Sequence, residues 1–249
     1  AREAPDGPES DDASEWVCFG GLGGATASCP VNTNDDAAGL AQPAWISDVL
    51  HVVLRATCTA DPLTPDIPRS CLATLHHNDT ICDVAAYYPS SDRIRYSSSR
   101  FERLAEDKLG GLNSSRAETF FLGILAHEYG HAASVERHTG PNGRTPAQCW
   151  WSVHAEEFSE HGLAVTITIQ EELFADYVAG CVFGRLDGAT KEQSDTFAEA
   201  LSSIDSPDQY PSGPAREEAV LLGFRRCASN DARDRLHDAL AAHLRGASL

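Results

Sequence analysis

The chain has 249 residues, of which 42% are hydrophobic, and it carries a formal net charge of −18. This length is enough for one large domain or two small ones, and no apolar run approaches the roughly 18 residues needed to span a bilayer. The negative charge argues against nucleic-acid and membrane-surface partners, because both are anionic.

The first 42 residues differ from the remainder of the chain. They are acidic or rich in small residues and carry two cysteines, so we predict an irregular, disulfide-stapled segment ahead of one domain over residues 43–249. That domain opens with residues 43–57, whose apolar side chains recur at helical spacing. Residues 58–82 are predicted as a loop, and residues 83–97 as two short strands around a Pro-Ser-Ser-Asp turn.

Helices are predicted for most of the second half. The clearest one starts at Ser115, which together with Glu118 fits a capping box, and it continues to Arg137. Further helices are expected over residues 101–109, 163–186, 191–203 and 215–245, with a polar connection over residues 139–162. The fold class predicted from these elements is α+β and mainly helical.

Eight cysteines occur, and none of them forms a Cys-x-x-Cys pair. An even number without metal-type spacing predicts four disulfides and an oxidising compartment. The chain also lacks methionine and starts at Ala1, so we expect a secreted protein whose signal peptide has been removed. The pairs we expect are Cys18 with Cys29, Cys71 with Cys82, and Cys181 with Cys227.

Residues 127–131 read His-Glu-Tyr-Gly-His, a His-Glu-x-x-His sequence. On a helix, His127 and His131 lie on one face and can bind one metal ion, while Glu128 can reach a water on that metal. The alternative is a pair of structural histidines on a half-buried helix. Gly130 either allows another segment to approach closely or is a tolerated surface glycine.

A catalytic zinc site takes three protein ligands and keeps one open position. A third histidine six residues after His131 is excluded, because Arg137 occupies that position. Ser134 also stands where a glycine would be needed to turn the chain. We therefore expect the helix to continue and the third ligand to come from another segment.

A carboxylate from the helix predicted over residues 163–186 is the best third ligand. Glu172 and Asp176 are four residues apart and share a helix face. We expect Glu172 to bind the metal and Asp176 to accept a hydrogen bond from the far ring nitrogen of His127 or His131. Glu171 is the competing ligand, but it lacks an aspartate partner at the same spacing.

These two motifs resemble those of the bacterial neutral zinc metallopeptidases of the YpfJ-like group. That family has His-Glu-x-x-His and, on a later helix, Glu-Leu-x-Ala-Asp-x-x-Ala-Gly, where this chain has Glu-Leu-Phe-Ala-Asp-Tyr-Val-Ala-Gly. The resemblance implies a gluzincin-like metallopeptidase core with a small antiparallel sheet beside the zinc helix. In that core His127, His131 and Glu172 hold one zinc ion and Glu128 is the catalytic base.

The loop over residues 210–216 departs from the family pattern. Tyr210 stands where the resemblance implies a histidine near the Pro-Ser-Gly turn. Tyr210 is therefore our candidate for the second group that stabilises the transition state, with Tyr177 and His154 as alternatives.

Together these features predict a secreted zinc endopeptidase. A metal-activated water attacks the peptide carbonyl, and Glu128 moves the proton from that water to the leaving amine. The alternatives are a metal-containing binding or structural module without turnover, and a disulfide scaffold without metal. We expect a protein or peptide substrate, no nucleic-acid or membrane partner, and a monomer, with an edge strand near residues 92–96 binding extended substrate by strand addition.

Overall fold

The computed structural model describes residues 73–228, apart from positions 80, 82, 92, 135–142, 164, 186–189 and 203–210. Several predictions fall outside these residues: the N-terminal segment and its boundary at residue 42, the helix over 43–57, and the pairs Cys18–Cys29 and Cys71–Cys82. Within the described part the fold is mainly helical with one small sheet, which confirms the predicted α+β class.

The sheet has three short strands: β1 (Thr74–His77), β2 (Ala85–Tyr88) and β3 (Arg93–Tyr96). Strands β2 and β3 form the predicted antiparallel hairpin, with Tyr87 opposite Ile94. Strand β1 replaces part of the predicted loop, and it pairs with β3 in parallel, so the sheet is mixed rather than antiparallel. Its four residues are too few to show an alternating pattern, and its partner lies beyond β2 in the sequence.

The order of the strands contradicts the prediction that an edge strand near residues 92–96 binds substrate. The order is β1-β3-β2, so β3 is the central strand and both of its edges are paired. The expectation that residues 92–96 form an edge strand open to a substrate is therefore wrong. Strand β2 is an edge of this sheet, and it packs beside the helix carrying the two histidines.

Two helices follow the sheet. Helix α1 (Ser98–Leu104) continues as a π-helical turn over Ala105–Leu109, which confirms a helix close to residues 101–109. Helix α2 (Ser115–Ser134) carries both histidines of the motif. Its cap is Ser114, whose Oγ accepts a hydrogen bond from the Ala117 backbone N–H at 3.0 Å, so the predicted capping box starts one residue late.

The polar connection predicted over residues 139–162 is helical in its described part. Helix α3 (Pro146–His154) is followed by a 3₁₀ helix (Ala155–His161). A complete capping box of Thr145 and Gln148, with proline in the first turn, starts α3. Trp150 on this helix is fully buried, so it is a core residue.

Three longer helices complete the described fold: α4 (Ile167–Arg185), α5 (Lys191–Ser202) and α6 (Gly213–Cys227). Helix α4 starts four residues later than predicted, and α5 matches its prediction within one residue. Helix α4 packs between α2 and α6. None of the helices in the described ranges combines the length and apolar character needed to cross a bilayer.

Helices α4 and α6 are held together at close range. Gly180 of α4 lies directly against the Val220 carbonyl, and Gly223 of α6 lies against the Tyr177 carbonyl, so neither position has room for a Cβ atom. A disulfide joins Cys181 to Cys227, which confirms this predicted pair. The relative position of the two helices is therefore fixed by covalent bonding and by packing.

Candidate metal centre

Two histidines on consecutive turns of α2 direct their Nε2 atoms towards one point. The Nε2 atoms of His127 and His131 are 3.0 Å apart, and the two ring planes are nearly perpendicular. The His127 side chain is fully buried and that of His131 is 15% exposed. The four-residue spacing on a helix produces this convergence, as the sequence predicts.

Glu172 on α4 is the third member of the cluster. One carboxylate oxygen, Oε2, lies 3.5 Å from His127 Nε2, and the other, Oε1, lies 3.5 Å from His131 Nε2. Each residue offers one ligand atom, and the three atoms lie within 4.8 Å of one another. The structure therefore brings together all three predicted ligands in a group that could hold a metal ion.

Gly130 is the reason why α4 can come this close to α2. A Cβ atom at Gly130 would lie 2.6 Å from the Ala175 Cα atom, so the two backbones touch where the helices cross. Ala175 lies between Glu172 and Asp176 on α4, and the contact therefore places both carboxylates next to the histidines. Of the two interpretations of Gly130, close approach is the correct one.

Asp176 binds the far side of one histidine ring. Its Oδ1 atom is 2.7 Å from Nδ1 of His127, and both side chains are fully buried. Of the two histidines considered, His127 is thus the one that Asp176 contacts. In the neutral form of His127, a proton on Nδ1 directed at Asp176 leaves Nε2 with its lone pair towards Glu172 and His131.

A buried arginine, Arg216 on α6, completes this chain of contacts, although neither sequence motif includes it. Its Nε atom donates to Asp176 Oδ2 at 2.8 Å, and its Nη2 atom donates to Asp176 Oδ1 at 2.9 Å. Nη2 is also 3.7 Å from Glu172 Oε2. A signal is present in the sequence: Arg216 occupies the same helix face as the buried Ala219, Val220 and Gly223.

Glu128 lies beside the cluster and contacts the sheet edge. Its Oε2 atom accepts a hydrogen bond from the Tyr87 backbone N–H of β2 at 2.7 Å, and only 4% of the residue is exposed. Burial raises the pKa of Glu128 to about 8, and Glu172 adds to the rise, although His127 and the Tyr87 N–H favour the ionised form. A carboxyl group with such a pKa can take up and release a proton near neutral pH.

Two of the three ligand side chains have protonation states that suit a cation, whereas His127 carries a proton that a cation would have to displace. Burial lowers the pKa of His131 to about 4, so its ring is neutral at pH 7. Although burial opposes it, the positive charges of His127 and Arg216 lower the pKa of Glu172. Burial also opposes the charged form of His127, but Asp176 and Glu172 raise its pKa to about 9.

The donor set fits a divalent metal such as zinc. Two imidazoles and one carboxylate are ligands that zinc takes in proteins, and three protein donors leave a fourth position open. Glu172 Oε2 is buried and accepts no hydrogen bond from the described residues, and its nearest charged neighbours, His127 Nε2 and Arg216 Nη2, lie 3.5 and 3.7 Å away, although a buried carboxylate oxygen usually accepts a hydrogen bond. A metal ion at the point of convergence would give that oxygen a partner.

The remaining candidates for the second donor are Tyr210, Tyr177 and His154. Tyr210 falls outside the described residues. Tyr177 is fully buried, with its ring 5.3 Å from that of Trp150 and 5.6 Å from that of His154. His154 Nδ1 lies 2.6 Å from Glu157 Oε2. Neither Tyr177 nor His154 belongs to the converging group of described residues.

Glu171, the competing ligand, is not part of the converging group. It is partly buried, and burial together with the neighbouring Glu172 raises its pKa to about 7. The position of the helix contact at Ala175 thus selects Glu172, because it directs that face of α4 towards α2.

No protein-family model, no curated protein and no solved structure matches this chain. The resemblance to the neutral zinc metallopeptidases therefore stays a prediction that rests on the two motifs. The established result is a buried His-His-Glu group that could hold a metal ion.

Proposed function

We propose that the protein is a zinc-dependent endopeptidase that hydrolyses peptide bonds with a metal-activated water. The observation that carries this proposal is the convergence of His127 Nε2, His131 Nε2 and the Glu172 carboxylate, with Glu128 at the adjacent position of the same helix. A gluzincin-like core, with Glu128 as catalytic base, is part of the proposal.

In this proposal each residue has a defined task. His127, His131 and Glu172 would hold the metal, and Asp176 fixes the tautomer of His127 by accepting a hydrogen bond from its Nδ1–H. The metal, when bound, lowers the pKa of a water molecule and polarises the substrate carbonyl. Glu128 accepts a proton at its carboxylate and passes it to the nitrogen of the leaving amine.

The contact between Glu128 and β2 supports the assignment of Glu128 as the base. The Tyr87 N–H holds one carboxylate oxygen, so the side chain has a fixed orientation beside the metal ligands. A base that is oriented before the substrate binds needs no reorganisation during the reaction. Tyr210 remains our candidate for the second donor to the transition state.

Secretion is also part of the proposal. The Cys181–Cys227 disulfide supports it, because such bonds persist mainly in oxidising compartments. The substrate would be an extracellular protein or peptide, and the active form a monomer.

A second candidate function is a metal-containing binding or structural module without turnover. The burial of Glu128 favours it, since only 4% of this residue is exposed and one oxygen is already engaged by the Tyr87 N–H. A base that substrate and water cannot approach would leave the metal with a purely structural task.

The exchange of Glu128 for glutamine distinguishes the two functions. We expect the wild-type protein to bind about one zinc ion per chain and to cleave a proteome-derived peptide mixture in a chelator-sensitive manner. Glu128→Gln should keep the zinc but lose about 10²- to 10⁴-fold in rate, the usual contribution of a general base.

The matched control for this exchange is Glu160→Gln, which makes the same chemical change at an exposed position. This control should cleave like wild type. The peptidase proposal fails if Glu128→Gln cleaves at the wild-type rate, because the activity would then come from another site or from a contaminant. Zinc binding without any cleavage by the wild type would favour the silent module.

A further inference from the structure

Arg216 is one of the largest fully buried side chains of the described fold, with 1% of its surface exposed. Burial of a guanidinium group is costly unless its charge is matched and its N–H groups are bonded. Asp176 balances the charge of Arg216 and accepts two parallel hydrogen bonds from it, of 2.8 and 2.9 Å. This two-point contact fixes the plane of the carboxylate as well as its position.

The orientation of Asp176 determines the orientation of His127. Asp176 Oδ1 is shared between Arg216 Nη2 at 2.9 Å and His127 Nδ1 at 2.7 Å. Rotation of the carboxylate would therefore move the acceptor away from the imidazole ring. The same ring carries Nε2, one of the three converging ligand atoms, on its opposite side.

We propose that Arg216 is a positioning residue of the metal centre. It holds Asp176 in the plane in which that carboxylate orients His127, and so directs His127 Nε2 at the metal. The positive charge of Arg216 also balances the negative charge of the buried Asp176, so this carboxylate does not depend on the metal ion for charge balance. The inference rests on the metal-binding part of the proposed function and extends the site from the α2–α4 pair to α6.

Two alternative roles for Arg216 agree less well with the structure. A simple clamp between α4 and α6 is not needed, because the Cys181–Cys227 disulfide and the contacts at Gly180 and Gly223 already hold these helices together. Direct binding of substrate is disfavoured because Arg216 is 1% exposed and two of its nitrogens are bonded to Asp176.

The test is a double-mutant cycle with zinc affinity as its readout. Arg216→Lys keeps the charge but cannot form the two parallel hydrogen bonds, and Asp176→Asn keeps the shape but weakens the contact with His127. The full-length metal-free protein is titrated with zinc in competition with a chromophoric chelator. The melting temperature of each metal-free variant is recorded separately.

We expect each single change to weaken zinc binding by about 10- to 100-fold, the usual effect of altering a group that orients a metal ligand. The double variant should be no weaker than the weaker single variant, because Arg216 acts through Asp176. The matched control is Arg225→Lys, which alters an exposed arginine of the same helix that pairs with Glu218. It should bind zinc like wild type.

Three results would overturn the inference. Arg216→Lys could bind zinc within about twofold of wild type, with or without a lower melting temperature, which would leave Arg216 only a structural role. Arg216→Lys could have its full effect in the Asp176→Asn background, which would mean that it does not act through Asp176. A wild-type protein that binds no zinc would also refute it.

A variant without buried charge covers the case in which Arg216→Lys does not fold. The pair Arg216→Gln with Asp176→Asn replaces the ion pair with two amides, and we expect the same loss of about 10- to 100-fold in zinc affinity. Wild-type affinity in this pair would refute the inference. Because the readout is binding, the peptidase proposal can fail for lack of cleavage while the role of Arg216 stands.

Discussion

Asp176 makes the two histidines of the cluster chemically unlike. It contacts Nδ1 of His127 at 2.7 Å, and together with Glu172 it raises the pKa of that ring to about 9 in spite of burial. Burial dominates at His131, whose pKa falls to about 4. In the metal-free protein at pH 7, His127 therefore carries a proton that a metal has to displace, and His131 does not.

Proton release on metal binding tests this difference. At pH 7 we expect zinc to displace about one proton from His127, because the ligand atom Nε2 must be deprotonated. Since the pKa of His127 is about 9, zinc affinity should fall about tenfold per pH unit as the pH decreases from about 8 to 6. Calorimetric titration in buffers with different ionisation enthalpies measures the number of protons.

The control for the proton count is Glu128→Gln, because Glu128 has a pKa of about 8 and is also largely protonated at pH 7. The proton from His127 should still be released in this variant. An affinity that is independent of pH between about 6 and 8 would show that His127 is neutral before the metal binds.

Most residues of the cluster were predictable, and the exceptions have a physical reason. His127, His131, Glu172 and Asp176 carry their signal in local helical spacing, so the sequence alone placed them. Arg216 acts from a third helix, and its contact with Asp176 depends on the packing of α6 against α4. The Tyr87 N–H is a backbone group, so no residue type in the sequence indicates its contact with Glu128.

At the scale of elements, the site depends on how closely α2 and α4 approach each other. The contact of Gly130 with Ala175 leaves no room for a side chain at position 130. Glycine within a helix costs about 1 kcal/mol relative to alanine. The close contact of the two backbones is the structural reason for this residue.

Gly130→Ala should therefore destabilise the protein. The added methyl group forces the two helices apart, and overpacking of this kind costs about 1–3 kcal/mol. The sign of the change is decisive, since the same substitution in open space would stabilise the helix by about 1 kcal/mol. Denaturant unfolding of the metal-free protein measures the change, and a more stable variant would contradict the close contact.

The Cys181–Cys227 disulfide joins the helices that carry Asp176 and Arg216. It closes a loop with a sequence separation of 46 residues, for which the loss of chain entropy predicts about 4 kcal/mol of stabilisation. We expect Cys181→Ala with Cys227→Ala to lower the free energy of unfolding by about 2–4 kcal/mol.

The control for the disulfide is Cys149→Ala, which removes a buried cysteine that forms no disulfide within the described residues. The decrease in the free energy of unfolding of this control measures the loss of side-chain packing alone. A double variant that loses no more stability than this control would show that the disulfide does not constrain the helices.

The elements themselves were predicted unevenly. Long helices such as α2 and α4 have sustained apolar faces, and the β2–β3 hairpin has a clear turn, so these could be predicted. Strand β1 and helix α3 could not be predicted from periodicity, because one has four residues and the other follows a polar stretch. The Thr145–Gln148 capping box is the local signal that marks the start of α3.

At the scale of the whole molecule, the net charge of −18 affects which substrates the proposed peptidase would meet. A strongly acidic protein attracts cationic peptides over a distance set by the Debye length. Glu172 adds negative charge on the helix that lines the candidate site, whereas burial favours the neutral form of Glu171 and raises its pKa.

We therefore expect kcat/KM to be higher for Lys- and Arg-rich peptides than for neutral peptides of equal length. The advantage should fall severalfold as ionic strength rises from about 0.01 to 0.15 M, where the Debye length shortens from about 30 to 8 Å. The neutral peptide is the control and should show little dependence on salt. An equal dependence for both peptides would contradict the electrostatic explanation.

The most direct test of the metal centre is anomalous diffraction at the zinc edge from crystals of the zinc-loaded protein. We predict one peak per chain, about 2.0–2.2 Å from His127 Nε2, His131 Nε2 and a Glu172 carboxylate oxygen. A peak on other residues, or zinc that lacks Glu172 as a ligand, would contradict the account.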